Sequence, residues 1–111
     1  MADFTIKQGD TLPWLEVTVV PPPGKSPAIP MGSTVAFKMR QKFNPKTTTV
    51  TAAGVIDDFD LGKMHYEFNG TTDNSQPGPY EGEFIITKAG GGQLTVPNNG
   101  SIEILVEPRI P

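Results

Sequence analysis

The chain contains no cysteine, which excludes a disulfide scaffold and thiolate metal sites. It therefore lacks the bridge that braces antibody domains, and any sandwich built from it must be held by packing alone. It has one histidine, His65, and one tryptophan, Trp14. Catalysis by a nucleophile and an imidazole base would rest on His65, and none of Ser26, Ser33, Ser75 or Ser101 lies in a nucleophile-elbow pattern. No segment approaches the run of about 18 apolar residues that a membrane helix needs. The start, Met1-Ala2-Asp3, has neither the basic nor the apolar region of a signal peptide, so a beginning in a bacterial cytoplasm is expected. The 9 basic and 12 acidic residues are scattered, with a net charge of −3. With no basic cluster to follow a phosphate backbone, neither nucleic acid nor a membrane is an expected partner.

What is present is the material of a small all-β domain. At 111 residues the chain is one domain, residues 1–111. Its 12 glycines and 12 prolines imply many turns, and no ten-residue stretch holds an amphipathic helical pattern free of them. Alternation with a period of two dominates instead. Phe4 and Ile6 alternate with Thr5 and Lys7. Leu15, Val17 and Val19 share one face of a second strand, with Glu16 and Thr18 on the other. Val35, Phe37 and Met39 alternate with Ala36, Lys38 and Arg40; Met64, Tyr66 and Phe68 alternate with Lys63, His65 and Glu67. Tyr80, Phe84 and Ile86 line one side of a longer strand, where Gly82 leaves room for a neighbour and Glu81 and Glu83 face out. Ile102, Ile104 and Val106 form the inner face of the last strand, and shorter strands are predicted at Thr47–Thr51 and Ala53–Ile56. Pro21-Pro22-Pro23-Gly24 cannot continue a central strand, so residues 21–30 read as an extended loop. Seven or eight short strands separated by turns predict an antiparallel β-sandwich.

Few residues offer chemistry. His65 is predicted on the outward side of its strand, facing solvent. Asp57, Asp58 and Asp60 form the one acidic cluster; Asp58-x-Asp60-x-Gly62 has the start of a calcium loop, but an aromatic strand follows where further ligands would stand. An Asp-rich hairpin turn needs the same residues for steric reasons. Gly90-Gly91-Gly92 lacks the lysine and helix of a phosphate loop. No catalytic residue, cofactor or metal is predicted. Trp14, Tyr66, Phe68 and Tyr80 could form a sugar-binding platform or could belong to the core. Trp14 falls on the Glu16 side of its strand, placing it at an edge of the core or in an interface. Ala28, Ile29 and Met31 are apolar in a loop that would otherwise favour polar residues, and Arg109 and Ile110 lie in a proline-interrupted tail. These are the candidate interface residues; both segments could equally wrap over their own domain.

Five stretches, in order, carry a family resemblance. They are Phe4-Thr5-Ile6-Lys7-Gln8-Gly9-Asp10-Thr11-Leu12-Pro13, Gly32-Ser33-Thr34-Val35-Ala36-Phe37-Lys38-Met39-Arg40, Asp60-Leu61-Gly62-Lys63-Met64-His65-Tyr66-Glu67-Phe68, Pro79-Tyr80-Glu81-Gly82-Glu83-Phe84 and Leu94-Thr95-Val96-Pro97-Asn98. Together they resemble the immunoglobulin-like domain of tailed-phage structural proteins, the baseplate upper protein N-terminal family and its relatives. The resemblance implies a non-enzymatic virion component of a tail, baseplate, neck or head, bound to other phage structural proteins as a homo-oligomer or a symmetric array. It supplies no catalytic motif. The family's receptor-facing extension has no counterpart before Pro111, so a small stand-alone component is expected. A carbohydrate-binding module that attaches a virion to host glycans is the alternative.

Overall fold

The structure is a computed structural model that describes residues 3–20, 29–43, 48–97 and 100–110. Among the described residues nine strands make up two sheets: β1 (Phe4–Lys7), β2 (Leu15–Thr18), β3 (Thr34–Gln41), β4 (Thr48–Ala53), β5 (Val55–Asp58), β6 (Lys63–Tyr66), β7 (Gly78–Thr87), β8 (Gln93–Val96) and β9 (Ile102–Glu107). The larger sheet has the order β1-β9-β7-β3-β4, with β8 also paired to β7; the smaller has the order β2-β6-β5. β7 is long enough for two partners along one edge. Gly78–Gly82 pair with β9 and Phe84–Thr87 with β8. The predicted strands are present, the two short ones with shifted bounds, Thr48–Ala53 and Val55–Asp58 (Thr47 lies outside the described residues), and β8 is added to them. It occupies the four residues before Pro97, overlapping the last of the stretches that carry the family resemblance, and extends that edge of β7.

The fold is an all-β sandwich, antiparallel at every strand pair but one. β1 runs parallel to β9, with Ile6 opposite Val106. The two strands lie at opposite ends of the sequence, so no hairpin fixes their direction, and the rest of the domain serves as the crossover. Phe37 at the centre of β3 joins the layers: its ring stacks on Tyr66 of the smaller sheet at 4.5 Å and packs against Phe84 of β7 at 5.0 Å. Around it Val35, Met39, Ile86, Ile104 and Val106 close the core from the larger sheet, and Leu15 and Met64 from the smaller. Gly82 is required for this packing. A Cβ there would stand 2.9 Å from Ile104 Cδ1 and 3.0 Å from Phe37 Cζ. At Gly54 the chain leaves the larger sheet for the smaller, and the Gly54 N–H donates to Val35 O across the switch.

At one end of the sandwich a buried polar knot fastens two loops. The Asn74 side chain is fully buried; its Oδ1 accepts from the Gly70 N–H, while Nδ2 donates to Lys7 O and Asp10 O. Asp73 accepts from the Tyr66 hydroxyl at 2.7 Å and from the Asn69 N–H. Burial, reinforced by that carboxylate, pushes the Tyr66 phenol far above its ordinary pKa. Gly70 has φ of +78°, and a Cβ on it would stand 2.7 Å from Gly9 O, so only glycine allows the loops to approach this closely.

Candidate functional site

Two surfaces stand out, one polar and one apolar. The first lies on the outer face of the β2–β6–β5 sheet. Strand alternation sends Met64 and Tyr66 inward and Lys63 and His65 outward, and the pairing sets Glu16 beside His65 and Thr18 beside Lys63. β5 carries a bulge: the register shifts between Ile56 and Asp58, so that Asp57 has no opposite residue of its own. A bulge re-aims the side chain it releases. Asp57 Oδ2 here stands 2.7 Å from His65 Nδ1, and Glu67 Oε2 stands 2.9 Å from Nε2. The Trp14 indole lies over the imidazole with ring centroids 4.2 Å apart and planes within 9° of parallel.

His65 therefore points outward, as its place in the strand predicts, but it does not meet solvent. Trp14 and the two carboxylates leave it 3 % exposed. Burial disfavours its charged form, and the hydrogen bonds to Asp57 and Glu67 outweigh that effect and raise its pKa above the ordinary value. The reason is stoichiometric. A neutral imidazole has one N–H to donate, whereas the imidazolium has two and satisfies both carboxylates. With both nitrogens engaged and a ring face covered, the imidazole presents no lone pair to a substrate; it serves as a pedestal for Trp14. The two carboxylates lie on opposite edges of the ring and do not converge on a common point. Regular hairpin register would set Val55 opposite His65, and only the bulge brings Asp57 to the imidazole, so the sequence alone gives no signal for this cluster. Asp58 itself performs the turn role, its Oδ1 accepting from the Leu61 N–H at 3.0 Å.

The aromatic platform read from sequence is reduced to one residue. Tyr66, Phe68 and Tyr80 are buried in the core, and Trp14 alone of the four is open, at 42 % exposure. A shallow depression of about 330 Å³ adjoins it, bordered by Glu16, Thr18, Asp57 and Lys63.

The second surface lies around the β5–β6 turn. The Val19 N–H donates to Gly62 O, and the Ile29 N–H donates to Phe59 O, so the chain flanks this turn on two sides. Leu61 in the turn, Val20 one residue past the first of these bonds and Met31 two residues past the second are exposed at 57, 83 and 70 %. Of the candidate interface residues, Met31 belongs to this patch, and Ala28 lies outside the described residues. Ile29 is corrected: it is fully buried and packs in the core, so it is not available to a partner. Arg109 sits at the opposite end with the polar knot. Its Nη1 donates to Gln8 O at 3.0 Å and to Asp10 Oδ1 at 2.7 Å, which ties the tail to its own domain, while Ile110 beyond it is exposed. On the outer face of the larger sheet the charges pair across strands, Arg40 with Glu81 at 2.7 Å and Lys42 with Glu103. A depression of about 450 Å³ between β3 and β7 is lined by Lys38, Arg40, Glu81 and Glu83 of this ladder, with Gly100 and Ser101.

Comparison of the chain with protein-family models, with curated proteins and with solved structures gave no match.

Proposed function

We propose that the chain is a non-enzymatic structural and assembly protein of a tailed-phage virion, working through contacts with other virion proteins and with copies of itself. The observation that carries this reading is the apolar patch at the β5–β6 turn. Val20, Met31 and Leu61 present large apolar side chains around one turn at one end of the sandwich. Single exposed apolar residues are ordinary on any protein, whereas a group of them marks a contact surface. The imidazole with no free nitrogen, the paired charges of the larger sheet and the turn role of Asp58 supply no catalytic constellation, in keeping with a protein that acts through surfaces.

The virion placement, as a tail, baseplate, neck or head accessory component, rests on the ordered sequence resemblance to the baseplate upper protein N-terminal family. A domain in such a particle repeats around a symmetry axis, so its contact patch meets either its own copy or a neighbouring ring. Sedimentation velocity of the parent and of Leu61→Glu tests the patch. The parent is expected to sediment as a defined oligomer and the variant as a smaller species with unchanged thermal stability. Identical sedimentation of the two would remove the β5–β6 turn from the interface. Mass spectrometry of purified phage particles tests the placement, and absence of the chain from them would refute it.

A further inference from the structure

We propose that the outer face of the β2–β6–β5 sheet, centred on Trp14, is a binding site for a neutral pyranose ring of a glycan. The site adjoins the turn that carries the apolar patch, through Thr18 and Lys63, but uses a different face, and its existence does not depend on the virion reading.

Three features of the cluster point to this ligand. The first is preorganisation. The indole lies parallel to the imidazole at 4.2 Å, and the imidazole is held at both nitrogens by Asp57 and Glu67. The orientation of the indole is thus fixed by folding, and a ring that settles on it does not have to order it. The second is amphipathic matching. Trp14 supplies a flat apolar surface for the C–H face of a sugar. The adjoining depression offers acceptors in Glu16 and Asp57 and donors in Lys63 and Thr18, and sugar hydroxyls can use both kinds. Its volume of about 330 Å³ lies at the small end of ligand sites, a size for one or two sugar residues rather than a large cofactor.

The third feature is charge, which decides against the other occupants of an aromatic platform. Glu16 and Asp57 border the depression beside the indole, Glu67 bonds the imidazole beneath it, and these carboxylates disfavour phosphates, nucleotides and acidic sugars. A cation above the indole would meet the imidazole beneath it, whose proton the two carboxylates favour, and Lys63 at the rim. A cation–π contact from above therefore competes with the one already made from below, which offsets the attraction of the nearby carboxylates. A neutral, polar ligand with one apolar face meets neither penalty.

The test is a titration of the ¹⁵N-labelled full chain by NMR with millimolar glucose, galactose, mannose and N-acetylglucosamine and their short oligomers. Glucuronate and choline serve as anionic and cationic controls. The expected result is a saturable shift of the Trp14 indole N–H and of the Glu16 and Asp57 amides with at least one neutral saccharide. Trp14→Ala, its fold judged by the rest of the spectrum, should lower that affinity about tenfold or more. Thr18→Val keeps the fold and the indole, and should weaken binding with the Trp14 shift still visible. The proposal is overturned if no neutral saccharide shifts these signals, if choline binds the indole in their place, or if saccharide shifts persist unchanged in Trp14→Ala.

Discussion

The buried side chain of Asn74 offers a quantitative test of how the loops are fastened. It makes three hydrogen bonds, with the Gly70 N–H at 3.0 Å, Lys7 O at 3.2 Å and Asp10 O at 2.8 Å. Removing them in Asn74→Ala leaves partners unpaired at roughly 1 kcal/mol each, about 3 kcal/mol in all. For a domain of this size that corresponds to a fall in Tm of roughly 10–20 °C. Asn74→Asp is the sharper variant. It keeps the volume and the acceptor for Gly70, but a carboxylate turns its second oxygen toward two carbonyl oxygens where an amide donated. Only the protonated acid can donate to either of them, so the folded pKa of the introduced group must rise above its unfolded value of about 3.9. The resulting stability is present below that unfolded pKa and is lost as pH rises through the folded one. Relative to the parent at each pH, Asn74→Asp should be least destabilised near pH 4 and most at pH 7, while Asn74→Ala should hold a constant deficit. Urea unfolding followed by far-UV circular dichroism measures both. A deficit for Asn74→Ala below about 0.5 kcal/mol, the range of ordinary surface substitutions, would refute the polar knot; an Asn74→Asp deficit independent of pH would refute the donor assignment.

Phe37→Ala and Phe84→Ala each remove a fully buried ring and should cost about 3–5 kcal/mol; near-neutral values at both in chemical denaturation would contradict the assigned core. His65 has a folded pKa above the unfolded 6.5, so its contribution to stability is full below pH 6.5 and is lost as pH rises through the folded value. The groups facing it are Asp57, Glu67, Glu16 and Trp14, and His65→Gln should flatten the corresponding part of the Tm–pH curve. An unchanged curve would refute the pedestal. Asp58 and Asp60 act in a turn, so millimolar calcium should leave the Tm of the parent unchanged, as in the Asp58→Asn/Asp60→Asn variant. A calcium-dependent rise confined to the parent would show a metal site there.

The legible part of the fold was the part in which one strand's alternation decides the outcome. Val35, Phe37 and Met39 point inward as their period requires, and Gly82 leaves space that Phe37 and Ile104 fill. What escaped the sequence depends on residues that arrive from elsewhere in the chain. The period of β6 sends His65 outward correctly, but no local pattern shows Trp14 closing over it or a bulge in β5 swinging Asp57 toward it. Ile29 looked like an exposed loop residue because its loop is rich in proline; its N–H is held by Phe59 O and its side chain enters the core. Asp73 and Asn74 lie in a polar stretch between β6 and β7, and their burial follows from loops far apart in the sequence meeting at Gly9 and Gly70. Sheet membership was likewise hidden, since a four-residue strand such as β8 pairs with whatever length of β7 its turn allows.

The central claim, that this chain works by symmetric assembly, is tested most directly by light scattering of the purified full-length chain after size exclusion, over a concentration series. The expected result is a defined oligomer, a trimer, pentamer or hexamer, whose mass holds over the upper part of the series. A monomer at every concentration would contradict it.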